Sequence, residues 1–133
     1  MTTELTYLTL TLLLALVQVM LPAAARTVEF GSKWNAGARD TTPEARKPLT
    51  GRLERAQANL YETLPLFIGA VLIAHVAGAH GVLTAWGTAL YFWARVVYVP
   101  LYALGVPYVR SLVWLVSLAG LVMVLASLFF LKA

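Results

Sequence analysis

Residues 5–25, LTYLTLTLLLALVQVMLPAAA, decide the fold. The run is about 21 residues long and uncharged, and at about 1.5 Å per residue a helix of that length crosses a hydrocarbon core of about 30 Å. Three further apolar stretches follow, at about 52–79, 82–104 and 107–131. Of the 133 residues, 60% are hydrophobic and 12% charged. A soluble core of that size cannot hide so many apolar faces, so the bilayer is the natural solvent. The chain reads as one domain, 1–133, with an all-α fold: an integral membrane bundle of four helices. Pro22 followed by Ala23-Ala24-Ala25 looks like a signal-peptidase site. The preceding segment, however, carries Glu4 and no basic residue, and the apolar core is too long for a signal peptide, which favours a retained span.

Between the first two spans the composition turns polar. Gly31, Gly37, Pro43, Pro48 and Gly51 punctuate residues 26–51, which read as an extramembrane loop. The turn at Gly78–Gly81 and the Pro107 expected at a helix start make the remaining connections short, which predicts an up-down bundle. Pro100 is expected to kink the third span. Arg26, Lys33, Arg39, Arg46, Lys47, Arg52, Arg55 and Arg110 share the loop side, against Lys132 opposite. That asymmetry predicts a cytoplasmic loop with both termini on the other side. The net charge of +4 therefore points to membrane lipid rather than nucleic acid. Trp114 and the tyrosines near the loop-side ends fit interfacial anchors.

The absence of cysteine excludes disulfides, thiolate metal sites and a cysteine nucleophile, so any thiol chemistry must bring its own sulfur. His75 and His80 have no further ligand at metal spacing, and no metal site is expected. The informative residues are Arg52, Arg55, Asn59 and Glu62 in the second span. Their spacings of three, four and three fall within an arc of about 80° on one helix face. A lone ionised carboxylate at the depth of Glu62 costs at least a few kcal/mol, so it needs a partner. The third span repeats the pattern with Arg95, Tyr98 and Tyr102, and the fourth begins with Arg110 and Ser111. Snorkelling at helix ends accounts for Arg52, Arg55 or Arg110 taken singly, and helix-to-helix pairing for Asn59 and Glu62. Four arginines in register with an amide and a carboxylate go beyond packing and suit an anionic, peptide-like ligand.

The stretch RLERAQANLYETLPLF, residues 52–67, followed by Ala94-Arg95-Val-Val-Tyr98-Val-Pro-Leu-Tyr102 and Arg110-Ser111, resembles the membrane-associated proteins in eicosanoid and glutathione metabolism, the MAPEG family. The motif resemblance covers roughly residues 50 to 115 and is similar to bacterial members. It implies a homotrimer in a bacterial inner membrane, with glutathione held as cosubstrate between neighbouring subunits. It further implies that Arg52, Arg55, Asn59, Glu62, Arg95, Tyr98 and Tyr102 bind glutathione, and that Arg110 activates the thiol with Ser111 beside it. Thr63, where some members carry tyrosine, and Pro100 depart from the pattern. The residues agree with that implication: arginine forks answer two carboxylates, Glu62 the ammonium and Asn59 the peptide groups. A free thiol, with its pKa of about 8.5, is mostly protonated at neutral pH, and a nearby guanidinium favours the thiolate.

These readings make the chain an enzyme: a glutathione-dependent transferase, with peroxidase turnover as a second expected activity, for lipophilic electrophiles entering from the bilayer. A non-catalytic lipid-binding protein of the same family is the alternative, disfavoured by the complete polar set. A small four-helix exporter of cations is weaker still, because the arginines repel such a cargo.

Overall fold

The computed structural model describes residues 1–40 and 47–130; Arg46, Lys132 and the expected end of the last span at Leu131 lie outside them. Within them the chain is all-helical: α1 (Thr3–Phe30), α2 (Ser32–Ala36), α3 (Pro48–Ala77), α4 (Val82–Ala103) and α5 (Tyr108–Phe129). Four of these, α1, α3, α4 and α5, are long and apolar enough to cross a membrane. The expected four-span bundle is present, with the boundaries moved. The first span runs on past Ala25 to Phe30, the loop holds the short α2, and α3 begins at Pro48 rather than Arg52. Pro107 stands just outside α5 as its N-cap, and Pro100 lies in the last turn of α4.

The longer helices on the loop side have a physical cause. Glu29, in the extra turn of α1, accepts hydrogen bonds from the Lys47 backbone N–H and, at 2.6 Å, from the Thr50 hydroxyl. A carboxylate at that position faces the free N–H groups and positive dipole end of α3, and Pro48 supplies a backbone angle already suited to the first helical position. One turn on, Arg26 and Glu54 form an ion pair at 3.4 Å. At the opposite end of the bundle the buried Glu4 accepts from the Thr84 hydroxyl at 2.6 Å and lies 3.6 Å from His80. These two clasps, together with the short turns, set α1 antiparallel to α3.

Burial on α1 is confined to a narrow stripe of Glu4, Leu8, Thr11, Ala15, Gln18 and Pro22, spaced four and three residues apart, while Leu12, Leu13, Leu16, Val17 and Met20 face outward. That is the pattern of a helix with lipid on most of its circumference. The shared core gathers Leu8, Ala15, Leu60, Leu64, Phe67, Val71, Tyr91, Leu121 and Val124. At its centre Phe67 stacks on Tyr91 with centroids 4.0 Å apart, and the Tyr91 hydroxyl shares a 2.8 Å hydrogen bond with Thr63. Both polar atoms of the Gln18 side chain are buried without a hydrogen-bond partner among the described residues.

Helices α4 and α5 approach each other closely at two glycines. A Cβ added at Gly120 stands 2.5 Å from the Gly87 carbonyl oxygen and 2.7 Å from the Tyr91 backbone nitrogen; one added at Gly87 stands 2.7 Å from the Gly120 oxygen. Backbone atoms cannot swing aside, so only glycine fits. Gly120→Ala is therefore expected to destabilise the protein by about 1–3 kcal/mol, read as a lower midpoint of thermal unfolding in detergent. Gly69→Ala, whose added Cβ meets nothing within 4 Å, is expected to leave that midpoint in place. Equal midpoints for both variants contradict the close seam.

Candidate functional site

The end of α4 and the start of α5 turn back toward the first half of α3, and a pocket of about 230 Å³ opens between them, lined by Asn59, Tyr98, Tyr102, Arg110, Ser111 and Trp114. Five of these six belong to the polar stripes seen in the sequence. Tyr98 and Tyr102, one helical turn apart on α4, meet edge to face at 5.6 Å. The Arg110 guanidinium, in the first turn of α5, sits over the Tyr102 ring at 4.5 Å from its centroid. That contact aligns the cation on the electron-rich ring face and leaves its N–H edges for the pocket.

Arg95 lies behind this wall rather than in it. It is 1% exposed, its Nη1 donates to Asn59 Oδ1 at 2.9 Å, and the Tyr98 ring covers it at 4.4 Å. Its Nε and Nη2 are buried with no hydrogen-bond partner among the described residues. Arg52 is directed to the turn after α4. It donates to the Ala103 carbonyl at 3.4 Å, and Gly105, at a φ of +72°, leaves the room that its guanidinium fills. A cation there meets the carbonyl-rich end of α4, a favourable position for a helix dipole.

Arg55 and Glu62, the other two members of the α3 stripe, are exposed on the outer face of the chain. Arg55 reaches the edge of the group, 5.9 Å from the Tyr102 centroid. Glu62 makes no hydrogen bond or ion pair within the chain among the described residues, but its negative charge acts on Arg95 and Tyr98. The stripe thus divides by what each residue meets: Asn59 joins the pocket, Arg52 braces a turn, and Arg55 and Glu62 stay exposed beside the pocket residues.

Trp114 enters the pocket although the sequence offered it only as an interfacial anchor. Its position one turn after Arg110 is the signal that places it there. Tyr91, bonded to Thr63, was not singled out, because no periodicity separates it from the other aromatics of the third span. A larger and almost wholly apolar groove of about 530 Å³ runs along α3 beside Tyr61, Leu64, Pro65, Ile68 and Gly69.

The pocket has hydrogen-bond donors in quantity and no carboxylate among its lining residues. It can hold an acceptor or an anion beside a guanidinium, within a bundle whose outer surface is apolar. No curated protein and no solved structure matches the chain. A family model described as the MAPEG family matches residues 7–130, nearly the whole length. With four spans, the polar pocket and that match together, the chain belongs to the MAPEG family of integral membrane proteins.

Proposed function

We propose that the protein is a glutathione-dependent membrane transferase, with peroxidase turnover as a companion activity, that joins the glutathione thiolate to lipophilic electrophiles. The observation that carries this reading is the Arg110 guanidinium held over Tyr102 at the wall of a pocket without a carboxylate. A guanidinium stays protonated throughout, so Arg110 is no general base; it stabilises the thiolate once the thiol proton has passed to water. The sulfur then attacks the electrophilic carbon. A carbon–sulfur bond forms, and the departing group leaves with its electron pair or the acceptor atom takes a proton from water.

The exposed Arg55 and Glu62 support a site shared between copies of the chain. Charges left exposed along a membrane-spanning helix are costly, and a second subunit laid on α3 covers them while bringing both to the ligand. In this reading Arg55 answers a glutathione carboxylate and Glu62 its ammonium, while Tyr98, Tyr102, Asn59 and Ser111 meet the remaining polar atoms. The assembly is a homotrimer by the family resemblance. Native mass spectrometry is expected to give three chains per particle; a monomer at working concentration contradicts a shared site.

The excess of basic residues near the loop supports a cytoplasmic loop, and the family resemblance supports a bacterial inner membrane. The chain has no native cysteine, so Gly37→Cys provides a single label. It is expected to react with a membrane-impermeant maleimide only after the membrane is opened. Labelling of intact cells contradicts the orientation.

The apolar groove along α3 favours a second reading, a family member that binds lipid without catalysis. Kinetics separate the two. Arg110→Ala is expected to lower kcat with glutathione and a hydrophobic electrophile by about 10²-fold or more, with a much smaller change in glutathione affinity. Arg110→Lys, which keeps the charge and loses the planar fork, falls between. Parent-level turnover in Arg110→Ala removes the arginine from the chemistry. An inactive parent that still binds lipid selects the second reading.

A further inference from the structure

The bond between Arg95 and Asn59 fixes more than two side chains. A guanidinium has only N–H donors, so the Asn59 atom that faces Arg95 Nη1 at 2.9 Å is the carboxamide oxygen. The usual ambiguity of an amide's orientation is resolved by that partner. With Oδ1 turned toward Arg95, the amide nitrogen is what Asn59 has left for the pocket it lines. Arg95 itself is 1% exposed and is not part of the pocket lining.

The consequence is a change in the pocket's chemistry. Arg110 and the Trp114 indole only donate, and the hydroxyls of Tyr98, Tyr102 and Ser111 rotate to donate or accept. Among the side chains lining the pocket, the Asn59 oxygen is the one fixed acceptor, and Arg95 withdraws it. We propose that Arg95 is a positioning residue that, by holding the Asn59 oxygen, presents the Asn59 N–H groups to the pocket and biases it toward a group that only accepts. Such a group is a carboxylate, an ionised thiol or an amide carbonyl oxygen. An ammonium finds no fixed acceptor there and is directed to Glu62 on the outer face. For the identity of the ligand this inference rests on the transferase reading; the clamp itself rests on the contact alone.

The same contact predicts an unusual response to substitution. Asn59→Asp keeps the size of the side chain and an oxygen for Arg95, and it places a counter-charge beside a buried guanidinium whose Nε and Nη2 lack partners among the described residues. It also removes the donor from the pocket. Thermal unfolding and calorimetric titration with glutathione, both on the intact detergent-solubilised protein, read these effects separately. The expected result is an unfolding midpoint at or above that of the parent, together with glutathione affinity weakened about tenfold or more. A midpoint well below the parent's, or unchanged affinity, overturns the proposal.

A double-mutant cycle separates positioning from direct contact. Arg95→Gln is expected to weaken glutathione binding in the parent and to add nothing in the Asn59→Ala background, because Arg95 acts only through Asn59. Additive losses mean that Arg95 touches the ligand itself and overturn the proposal. If Arg95→Gln does not assemble, Arg95→Lys replaces it in the cycle, keeping the charge but not the fork. A parent that binds no glutathione overturns the transferase reading, and the unfolding midpoint of Asn59→Asp, measured without ligand, still decides the clamp.

Discussion

The hydrogen bond from Arg95 to Asn59 joins α3 to α4 at the wall of the pocket. In water such a contact is worth little, because each group can exchange it for solvent. Within a bundle surrounded by hydrocarbon, the same groups left apart carry most of their desolvation cost. Asn59 and Arg95 therefore come as a pair, and the pair ties α3 to α4 at the pocket that α5 completes. The other charged residues obey the same constraint in their own ways. Glu29 sits on the start of α3, Arg52 on the end of α4, and Glu4 against Thr84 and His80. Arg55 and Glu62 alone in the α3 stripe are left exposed, and that exposure supports a covering subunit.

Rigidity on one side of the pocket complements that constraint. The glycine seam between α4 and α5 brings two backbones into contact toward the far end of α4, and the short turn between the two helices sets Arg110 on α5 over the Tyr102 ring on α4. In the proposed enzyme this matters because electrostatic stabilisation of a thiolate depends on donors already in position when charge develops. A surface arginine on a mobile loop gives up that advantage to water.

Much of this was legible in the sequence. Hydropathy gave four spans, since a bilayer imposes a length and composition that few other environments tolerate. Helical spacing placed Asn59, Tyr98, Tyr102, Arg110 and Ser111 on faces able to meet, and they do line one pocket. What spacing could not supply was depth around the helix axis. Arg52, Arg55, Asn59, Glu62 and Arg95 are all polar and in register, yet one braces a turn, two stay exposed, one lines the pocket and one is buried behind it. Those differences depend on which neighbour each residue meets, which a single helix does not encode. The extra turns at the loop side escaped for the same reason: Glu29 and the start of α3 are distant in sequence and recognisable as partners only when folded.

The central claim is that the pocket holds a thiol as its anion, and ultraviolet difference spectroscopy tests it most directly. The detergent-purified protein is titrated with glutathione at neutral pH, with S-methylglutathione, which has no thiol to ionise, as the control. The account predicts a saturable absorbance band of ionised sulfur with glutathione and none with the methylated analogue. Saturating glutathione occupancy, established by calorimetry in the same buffer, without any thiolate band contradicts it.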